Sequence, residues 1–170
     1  MKKLLHIFCA LMVLITISGC TVHYAFTGAS VDYNLTKTVS IQYINNMAAM
    51  VTPILSPQLT DALIQKMQRE TRLQIVSEEG DMSFAGEIID YRSDPISISA
   101  NETAVQNRLT IAVRIRFVNK AQPNNSFERS FSNYADYPSD QMLTSVEAKI
   151  IPEIVTKIVD DIFNAALGQW

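Results

Sequence analysis

The strongest indication of the fold of this chain lies in residues 106–119, which read Gln106-Asn-Arg-Leu-Thr-Ile-Ala-Val-Arg-Ile-Arg-Phe-Val-Asn119. Every odd position from Leu109 to Phe117 is a large apolar residue. The even positions are polar or small, and they include Arg108, Arg114 and Arg116. Successive side chains of a β-strand point to opposite sides. The alternation therefore predicts a strand with one buried face and one face in water.

Shorter runs of the same kind predict four further strands, at residues 38–44, 73–77, 82–92 and 127–132. Pro95 allows only an irregular continuation of the strand that begins at residue 82. Residues 45–55 open on two asparagines and are predicted to form a loop. The Pro-Asn-Asn run at 123–125 predicts the turn of a hairpin between the last two strands.

Two amphipathic helices complete the predicted secondary structure. Ser56-Pro57 is typical of a helix start, with a capping hydroxyl followed by proline in the first turn, and predicts a helix over residues 57–71. Thr144-Ser-Val-Glu147 has the pattern of a capping box at the start of a longer helix. Isoleucines at 150, 154, 158 and 162 give that helix one apolar face. Pro152 lies beyond its first turn and predicts a kink.

These elements predict an α/β chain of the α+β type, in the order β-α-β-β-β-β-α. A helix between the first two strands favours a parallel crossover, and the remaining strands favour an antiparallel meander. The expected architecture is a two-layer sandwich, in which two helices cover one face of a mixed sheet of four to five strands. Val113, Ile115, Ile154 and Ile158 are predicted to meet in its core.

The first twenty residues are typical of a bacterial lipoprotein precursor. A basic start, Met1-Lys-Lys3, precedes an apolar run of about 14 residues, which is shorter than the roughly 20 that span a bilayer as a helix. The run ends Ile17-Ser-Gly-Cys20, which has the pattern of a lipobox, so Cys20 is the predicted lipidation site. The alternative is an ordinary signal peptide with a chance cysteine near its end.

This reading divides the chain into a signal peptide at 1–19, a lipidated N-terminus and tether at 20–36, and one domain at 37–170. Thr21 is not the aspartate that tends to retain lipoproteins in the inner membrane of enteric bacteria. We therefore expect a lipid anchor on the periplasmic face of the outer membrane. Two or more acyl chains anchor a protein stably.

Composition argues against two classes of function. The 14 basic residues include Lys2 and Lys3 of the signal, so 12 remain against 17 acidic ones, and the mature net charge is −5. Nucleic-acid binding needs a basic surface, so no nucleic-acid partner is expected. His23 is the single histidine after residue 19, and Glu87 and Asp90 are expected on opposite faces of one strand. We therefore expect no enzyme, no metal site and no cofactor.

The arginine row of the central strand, Arg108, Arg114 and Arg116, is the candidate site. Guanidinium groups bind phosphates and carboxylates through paired hydrogen bonds, so the row is a possible contact for lipopolysaccharide or another anionic partner. The alternative is cross-strand pairing with Glu128 or Asp136 inside the sheet. Both interpretations place the three side chains on the face turned away from the helices.

Several runs of residues, none of them catalytic, resemble one known family. They are Thr38-Val-Ser-Ile-Gln-Tyr43, Thr71-Arg-Leu73, Gly80-Asp81, Phe84-Ala-Gly-Glu-Ile-Ile-Asp-Tyr-Arg92, Asn101-Glu-Thr103, Asn107-Arg-Leu-Thr-Ile111, Ser132-Asn-Tyr-Ala-Asp136 and Val159-Asp-Asp-Ile-Phe-Asn164. In their combined order they resemble the LptE family of lipopolysaccharide-assembly lipoproteins, in the form found in Bacteroidetes-like bacteria.

The resemblance implies a non-enzymatic outer-membrane lipoprotein with a two-layer α/β domain. It also implies that the domain plugs a β-barrel partner of the LptD type and helps to deliver lipopolysaccharide to the outer leaflet. No lipopolysaccharide-contacting residue of the family is carried over by a matching motif. The alternative function is a lipid-tethered periplasmic module that binds a small ligand or an envelope polymer.

Overall fold

The computed structural model describes residues 31–97 and 105–168 of the chain. Cys20, the signal sequence and the tether as far as residue 30 lie outside the described residues, as does Trp170. The described part of the tether is already packed, because Val31 and Tyr33 lie against the hydrophobic core. A turn follows, in which the backbone N–H of Thr36 donates to the carbonyl of Asp32.

The sheet is mixed and follows the predicted order of elements. Its strands are β1 (Thr38–Ile41), β2 (Asn45–Asn46), β3 (Gln74–Val76), β4 (Met82–Ser97), β5 (Val105–Asn119) and β6 (Phe127–Pro138). They lie in the order β3-β1-β4-β5-β6, with β2 beside β4. β1 is parallel to β3 and to β4, whereas β4, β5 and β6 form an antiparallel meander. The predicted α+β class and mixed sheet are confirmed.

The prediction of a loop from residue 45 is wrong at its start, because Asn45–Asn46 forms β2. Residues 42–44 leave the sheet edge for only three positions. The backbone N–H of Gln42 donates to the carbonyl of Phe84, and that of Met47 donates to the carbonyl of Ile88. Two polar residues carry no strand pattern, so pairing with β4 rather than local propensity determines β2.

A β-bulge at Ile89 changes which side chains of β4 face the core. Ile88 is opposite Val113, whereas Asp90 is opposite Ala112, so one extra residue lies between them. A bulge of this kind shifts the alternation by one position. Glu87 and Asp90 therefore lie on the same outer face of the sheet, and the prediction that they point to opposite faces is wrong.

The helices are α1 (Leu55–Glu70) and α2 (Leu143–Leu167), and neither begins with the predicted cap. α1 starts before the predicted residue 57, at Leu55, and Ser56 is buried inside its first turn. Met142 precedes α2, and no side chain caps either helix. The capping-box prediction for Thr144 and Glu147 is wrong because Glu147 accepts a hydrogen bond from the Tyr91 hydroxyl instead.

The core lies between the sheet and the two helices, as predicted. Val113, Ile115, Ile154 and Ile158 are all completely buried. α2 remains helical through Pro152. None of the helices in the described residues has the length and apolar character needed to cross a membrane.

Candidate functional site

The outer face of β4, β5 and β6 carries the predicted arginine row. Arg114 and Arg116 are exposed there, and Arg108 is partly exposed. Arg114 and Arg116 are two residues apart on one strand, which separates their Cα atoms by about 7 Å. Arg108 lies about 20 Å farther along the same strand. The structure therefore divides the row into a pair and a distant third member.

Arg108 is committed to partners inside the sheet. Its Nε and Nη2 donate to the two carboxylate oxygens of Asp136 over 2.7 and 2.9 Å. Its guanidinium carbon also lies 3.7 Å from the centre of the Tyr134 ring. The hydrogen bonds with Arg108 lower the pKa of the Asp136 carboxyl below its ordinary value. The alternative interpretation, cross-strand pairing, is therefore what the structure shows for this residue.

Arg114 also forms an ion pair, but on the other neighbouring strand. Its Nη1 lies 2.8 Å from Oε1 of Glu87 on β4. About half of the Arg114 side chain and 38% of the Glu87 side chain remain exposed. Glu128, on β6, was the predicted partner for this part of the row, and it forms no ion pair with Arg114. Because this pair is exposed and rests on a single hydrogen bond, Arg114 can readily exchange Glu87 for another anion.

Among the described residues, Arg116 forms no ion pair. It lies opposite Glu128 in the register of β5 and β6, yet the two charges do not come within salt-bridge distance. Arg114 and Arg116 line a shallow depression of about 310 Å³, together with Gln42, Ala85, Gly86, Glu87 and Glu128. The depression holds two basic and two acidic groups, and one of its arginines is available to a ligand.

The floor of this depression depends on a glycine. A Cβ atom on Gly86 would come within 2.5 Å of the Arg114 carbonyl oxygen and 2.6 Å of the Ile115 side chain. No rotamer of a larger residue relieves a clash at Cβ, so β4 and β5 approach closely here because residue 86 is glycine. The glycine thereby fixes the backbone that carries Arg114.

Sequence reasoning missed a second group of charges on the same face. Arg92 pairs with Asp90 through Nη1 and with Asp94 through Nε, the latter over 2.9 Å. The bulge at Ile89 brings Asp90 to this face. Two consecutive apolar residues, Ile88 and Ile89, interrupt the alternation of the strand and are the sequence signal that could have revealed the bulge.

The described residues contain no group of three or more His, Cys, Asp or Glu side chains that could hold a metal ion. The open face carries both arginines and carboxylates, and of its described arginines Arg92, Arg108 and Arg114 form ion pairs, whereas Arg116 does not. Their arrangement is suited to binding an anionic group at Arg116 and Arg114.

A sequence model of the LptE family, whose description is lipopolysaccharide-assembly, matches residues 36–166. The match begins just before β1 and ends in the last turn of α2, so it covers almost the entire described domain. No curated protein matches the chain in sequence.

Several solved structures share the fold at low sequence identity. A putative neuraminyllactose-binding hemagglutinin homolog from Helicobacter pylori is 13% identical, with a TM-score of 0.53, over 84% of this chain and 88% of that one. A minor lipoprotein from Acinetobacter baumannii is 12% identical, with a TM-score of 0.50, over 79% of this chain and 98% of that one. A hypothetical protein from Chlamydia trachomatis is 7% identical, with a TM-score of 0.50, over 77% and 98%. These similarities concern the fold alone.

Proposed function

This chain belongs to the LptE family of lipopolysaccharide-assembly proteins, and from that premise we propose that it is the lipid-anchored partner and plug of an outer-membrane β-barrel of the LptD type. Family membership itself gives a non-enzymatic role in lipopolysaccharide assembly at the outer membrane. The prediction that the chain is not an enzyme is thereby confirmed. Beyond this role, we propose the β-barrel partner, the lipid anchor and the residues that contact them.

The observation that carries the proposal is the extent of the family match. It runs from residue 36 to residue 166 and includes the six strands and all but the last residue of the two helices that the structure describes. A match of this length covers the packed core and the open face together. The function is therefore assigned to the whole domain rather than to one local motif.

The proposed anchor is Cys20, acylated after removal of residues 1–19, on the periplasmic face of the outer membrane. The apolar run that ends in Ile17-Ser-Gly-Cys20 supports this assignment. Several acyl chains on one cysteine hold a protein on a membrane stably. The domain would then be attached through the residues that precede Val31.

The proposed contact surface is the open face of the sheet. Both helices pack on the opposite face, so the outer side chains of β4, β5 and β6 are free to meet a partner. Arg114 and Arg116 are the proposed contacts for lipopolysaccharide phosphates or for acidic side chains in the barrel lumen. Guanidinium groups gain most from planar or multidentate anions when water is excluded from the contact. Arg108 contributes less, because Asp136 already occupies its donors.

Purification from outer membranes in mild detergent tests the proposed partner. The tagged chain should co-purify with one large β-barrel protein at one-to-one stoichiometry, as measured by mass spectrometry and by the mass of the intact complex. A tagged outer-membrane lipoprotein of another family is the control for non-specific recovery. Recovery of the chain alone, with a small ligand or envelope polymer bound, would contradict the proposal and support the binding-module alternative.

A further inference from the structure

A second depression lies on the open face of the sheet, beside the one that holds Arg114 and Arg116. Its volume is about 570 Å³, and small-molecule sites in proteins generally fall between about 300 and 1,000 Å³. Its lining comes from β1 and the residues after it, from the loop at 77–80, from Ser83 and from Lys120. The proposed arginine contacts do not use this depression.

The loop between β3 and β4 forms one wall of the second depression. β3 and β4 lie on opposite sides of β1, so the loop that joins them must cross β1. It crosses closely at Gly80, where a Cβ atom would come within 2.6 Å of the Ser40 backbone nitrogen. The carboxylate of Asp81 then accepts hydrogen bonds from the N–H groups of Lys37 and Thr38. The wall is therefore held against β1 before any ligand arrives, which lowers the ordering cost of binding.

Small polar side chains form the floor of the second depression. Val39 and Phe84 are buried in the core, so their neighbours Ser40 and Ser83 turn to the open face. The two serines are opposite each other in the register of β1 and β4. A serine hydroxyl both donates and accepts hydrogen bonds. The floor is therefore suited to a ligand that carries hydroxyl groups.

The rim beyond β1 adds an amide and an aromatic ring. Gln42 and Tyr43 both line the depression, and Tyr43 is 55% exposed. Ile41 is the one aliphatic residue of the lining, and it packs against the core. An acyl chain in this place would bury the amide and the hydroxyl groups without hydrogen-bond partners, which is unfavourable. A sugar can place its hydroxyl groups on the amide and its C–H groups on the tyrosine ring.

The two depressions are parts of one trough, because Gln42 lines both of them. In the register of β4 and β5, Ala85 is opposite Arg116. Ser83 lies two residues before Ala85, which is about 7 Å along the strand. One phosphorylated sugar ring covers a distance of this size. A ligand with a phosphate at Arg116 therefore brings its adjoining ring over the serine floor.

The carboxylates of the trough favour a phosphorylated sugar over a free phosphate ion. Glu87 and Glu128 line the first depression together with the two arginines. Glu78 and Glu79 line the second. Carboxylates repel an anion, yet they accept hydrogen bonds from hydroxyl groups. A ligand that combines a phosphate with several hydroxyl groups gives both the arginines and the carboxylates a favourable partner.

We propose that this trough binds the phosphorylated sugars of lipopolysaccharide. A phosphate is held by Arg114 and Arg116. The adjoining sugar ring lies over Ser40 and Ser83, with Tyr43 against its edge. This inference rests on the proposed function, in which the two arginines meet lipopolysaccharide phosphates, and it adds the part of the molecule that is recognised. The acyl chains lie outside the trough, because it offers them no apolar wall.

Deacylated lipopolysaccharide, which keeps the sugars and phosphates and lacks the acyl chains, is the probe for this site. Calorimetric titration of the detergent-solubilised mature protein measures its dissociation constant. Gln42→Ala with Tyr43→Ala should weaken binding at least about tenfold, because it removes the amide and the ring from the trough. Gln141→Ala with Tyr134→Ala is the matched control. It removes the same two residue types from exposed positions outside the trough and should bind as the wild type does.

Two further probes separate the phosphate from the sugar. The deacylated probe should bind the wild type more weakly after phosphatase treatment. Arg114→Gln with Arg116→Gln should weaken binding of the untreated probe and leave binding of the treated probe unchanged. Glucose 6-phosphate tests for a free sugar phosphate as the ligand. Tighter binding of glucose 6-phosphate than of the deacylated probe would overturn the assignment to lipopolysaccharide.

The outcomes distinguish this inference from the proposed function. Unchanged affinity of the Gln42→Ala, Tyr43→Ala variant would overturn the inference. So would a wild type that binds intact lipopolysaccharide and not the deacylated probe. Co-purification of the β-barrel without binding of the probe would overturn the inference and leave the barrel partner standing. Binding of the probe that depends on the trough, without recovery of a barrel, would support the inference and contradict the barrel partner.

Discussion

The Tyr91 hydroxyl donates a 2.7 Å hydrogen bond to the carboxylate of Glu147 and thereby joins β4 to the first turns of α2. The other oxygen of the same carboxylate lies 3.4 Å from the Thr52 hydroxyl, in the segment before α1. One acidic side chain therefore connects the sheet with the starts of both helices. Burial first, and then the bond to Glu147, raise the pKa of Tyr91, so its hydroxyl remains a donor.

Tyr91→Phe should reduce the free energy of unfolding by about 1–2 kcal/mol. The ring is buried and keeps its packing, but Glu147 loses the shorter of its two hydrogen bonds. A hydrogen bond to a charged group contributes about 1.5–3 kcal/mol. Water that reaches Glu147 in the variant can replace part of this contribution. Urea unfolding measures the change. Tyr134→Phe, at a tyrosine that is 47% exposed, is the control and should change stability by less than about 0.5 kcal/mol.

Asp81→Asn should remove part of the acid sensitivity of the fold. Hydrogen bonds from the Lys37 backbone N–H, and then from the Thr38 hydroxyl and N–H, lower the pKa of Asp81 below its ordinary value of 3.8. A lowered folded-state pKa contributes stability that is fully present above the unfolded value and is lost as the pH falls through the folded value. The wild type should therefore exceed the variant in stability at pH 7.

The difference between wild type and Asp81→Asn should shrink as the pH is lowered below about 4. Unfolding curves between pH 7 and pH 2 measure it. Asp61→Asn, an exposed aspartate of α1 without a hydrogen-bonded partner among the described residues, is the control and should leave the profile unchanged. A stability difference that is constant across this range would show that Asp81 acts through shape rather than through charge.

The part of the fold that could be predicted is the part that follows from the periodic spacing of apolar side chains. The alternation of residues 109–117 and the fourfold spacing of Ile150, Ile154 and Ile158 place the buried face of each element correctly. Helix starts were less predictable because the side chains of Ser56 and Glu147 can form hydrogen bonds with more than one partner. Glu147 bonds to Tyr91, which is 56 residues away, and that contact exists only after folding. Caps compete with such tertiary partners, and sequence shows only the local one.

Within the candidate site, sequence fixes the face of each arginine but not its partner. Arg108 and Arg114 both pair across strands, as the alternative interpretation held, yet Arg114 pairs toward β4 and not toward β6. The choice depends on strand order and on the close approach of β4 at Gly86. A two-residue strand such as β2 is likewise invisible in sequence, since Asn45 and Asn46 favour turns.

Glu79→Asn should stabilise the protein by about 0.5–1 kcal/mol. Glu79 has φ of 56°, in the left-handed region that costs most residues about 1–2 kcal/mol and that asparagine tolerates better. Its side chain is exposed, and its carbonyl, which accepts from Lys120, is unchanged by the substitution. Glu78→Asn removes the same charge at a residue without positive φ and should give no gain. Thermal unfolding of both variants measures the difference.

Cys20→Ala should abolish lipid attachment. This prediction is based on the sequence Ile17-Ser-Gly-Cys20, which follows a short apolar run. The thiol of Cys20 is the group that would carry the lipid. Metabolic labelling with a fatty-acid probe should mark the wild type and not the variant, which should accumulate as a precursor or as a soluble periplasmic form. Cys9→Ala, in the predicted signal sequence, is the control and should be labelled normally. A labelled Cys20→Ala protein would refute the assignment.

Arg114→Gln with Arg116→Gln should weaken binding of lipopolysaccharide or of the barrel while leaving the fold nearly intact. Arg116 has no ion pair among the described residues, and Arg114 has one exposed pair, with Glu87. Exposed ion pairs contribute about 0–1 kcal/mol, so the loss of folding stability should stay within that range. The other two arginines described on this face, Arg92 and Arg108, are already paired with aspartates.

Salt and a matched variant decide whether this arginine pair acts locally. The weakening should be largest at low ionic strength, because salt screens exposed charges beyond roughly 10 Å at 0.1 M. Arg69→Gln with Arg72→Gln removes the same two charges from exposed positions at the end of α1, away from the depression, and should leave binding close to wild type. Equal weakening by both double variants would mean that net charge, not the open face, attracts the ligand. Lost stability with unchanged binding would mean that Arg114 and Arg116 serve only the pairing of β4, β5 and β6.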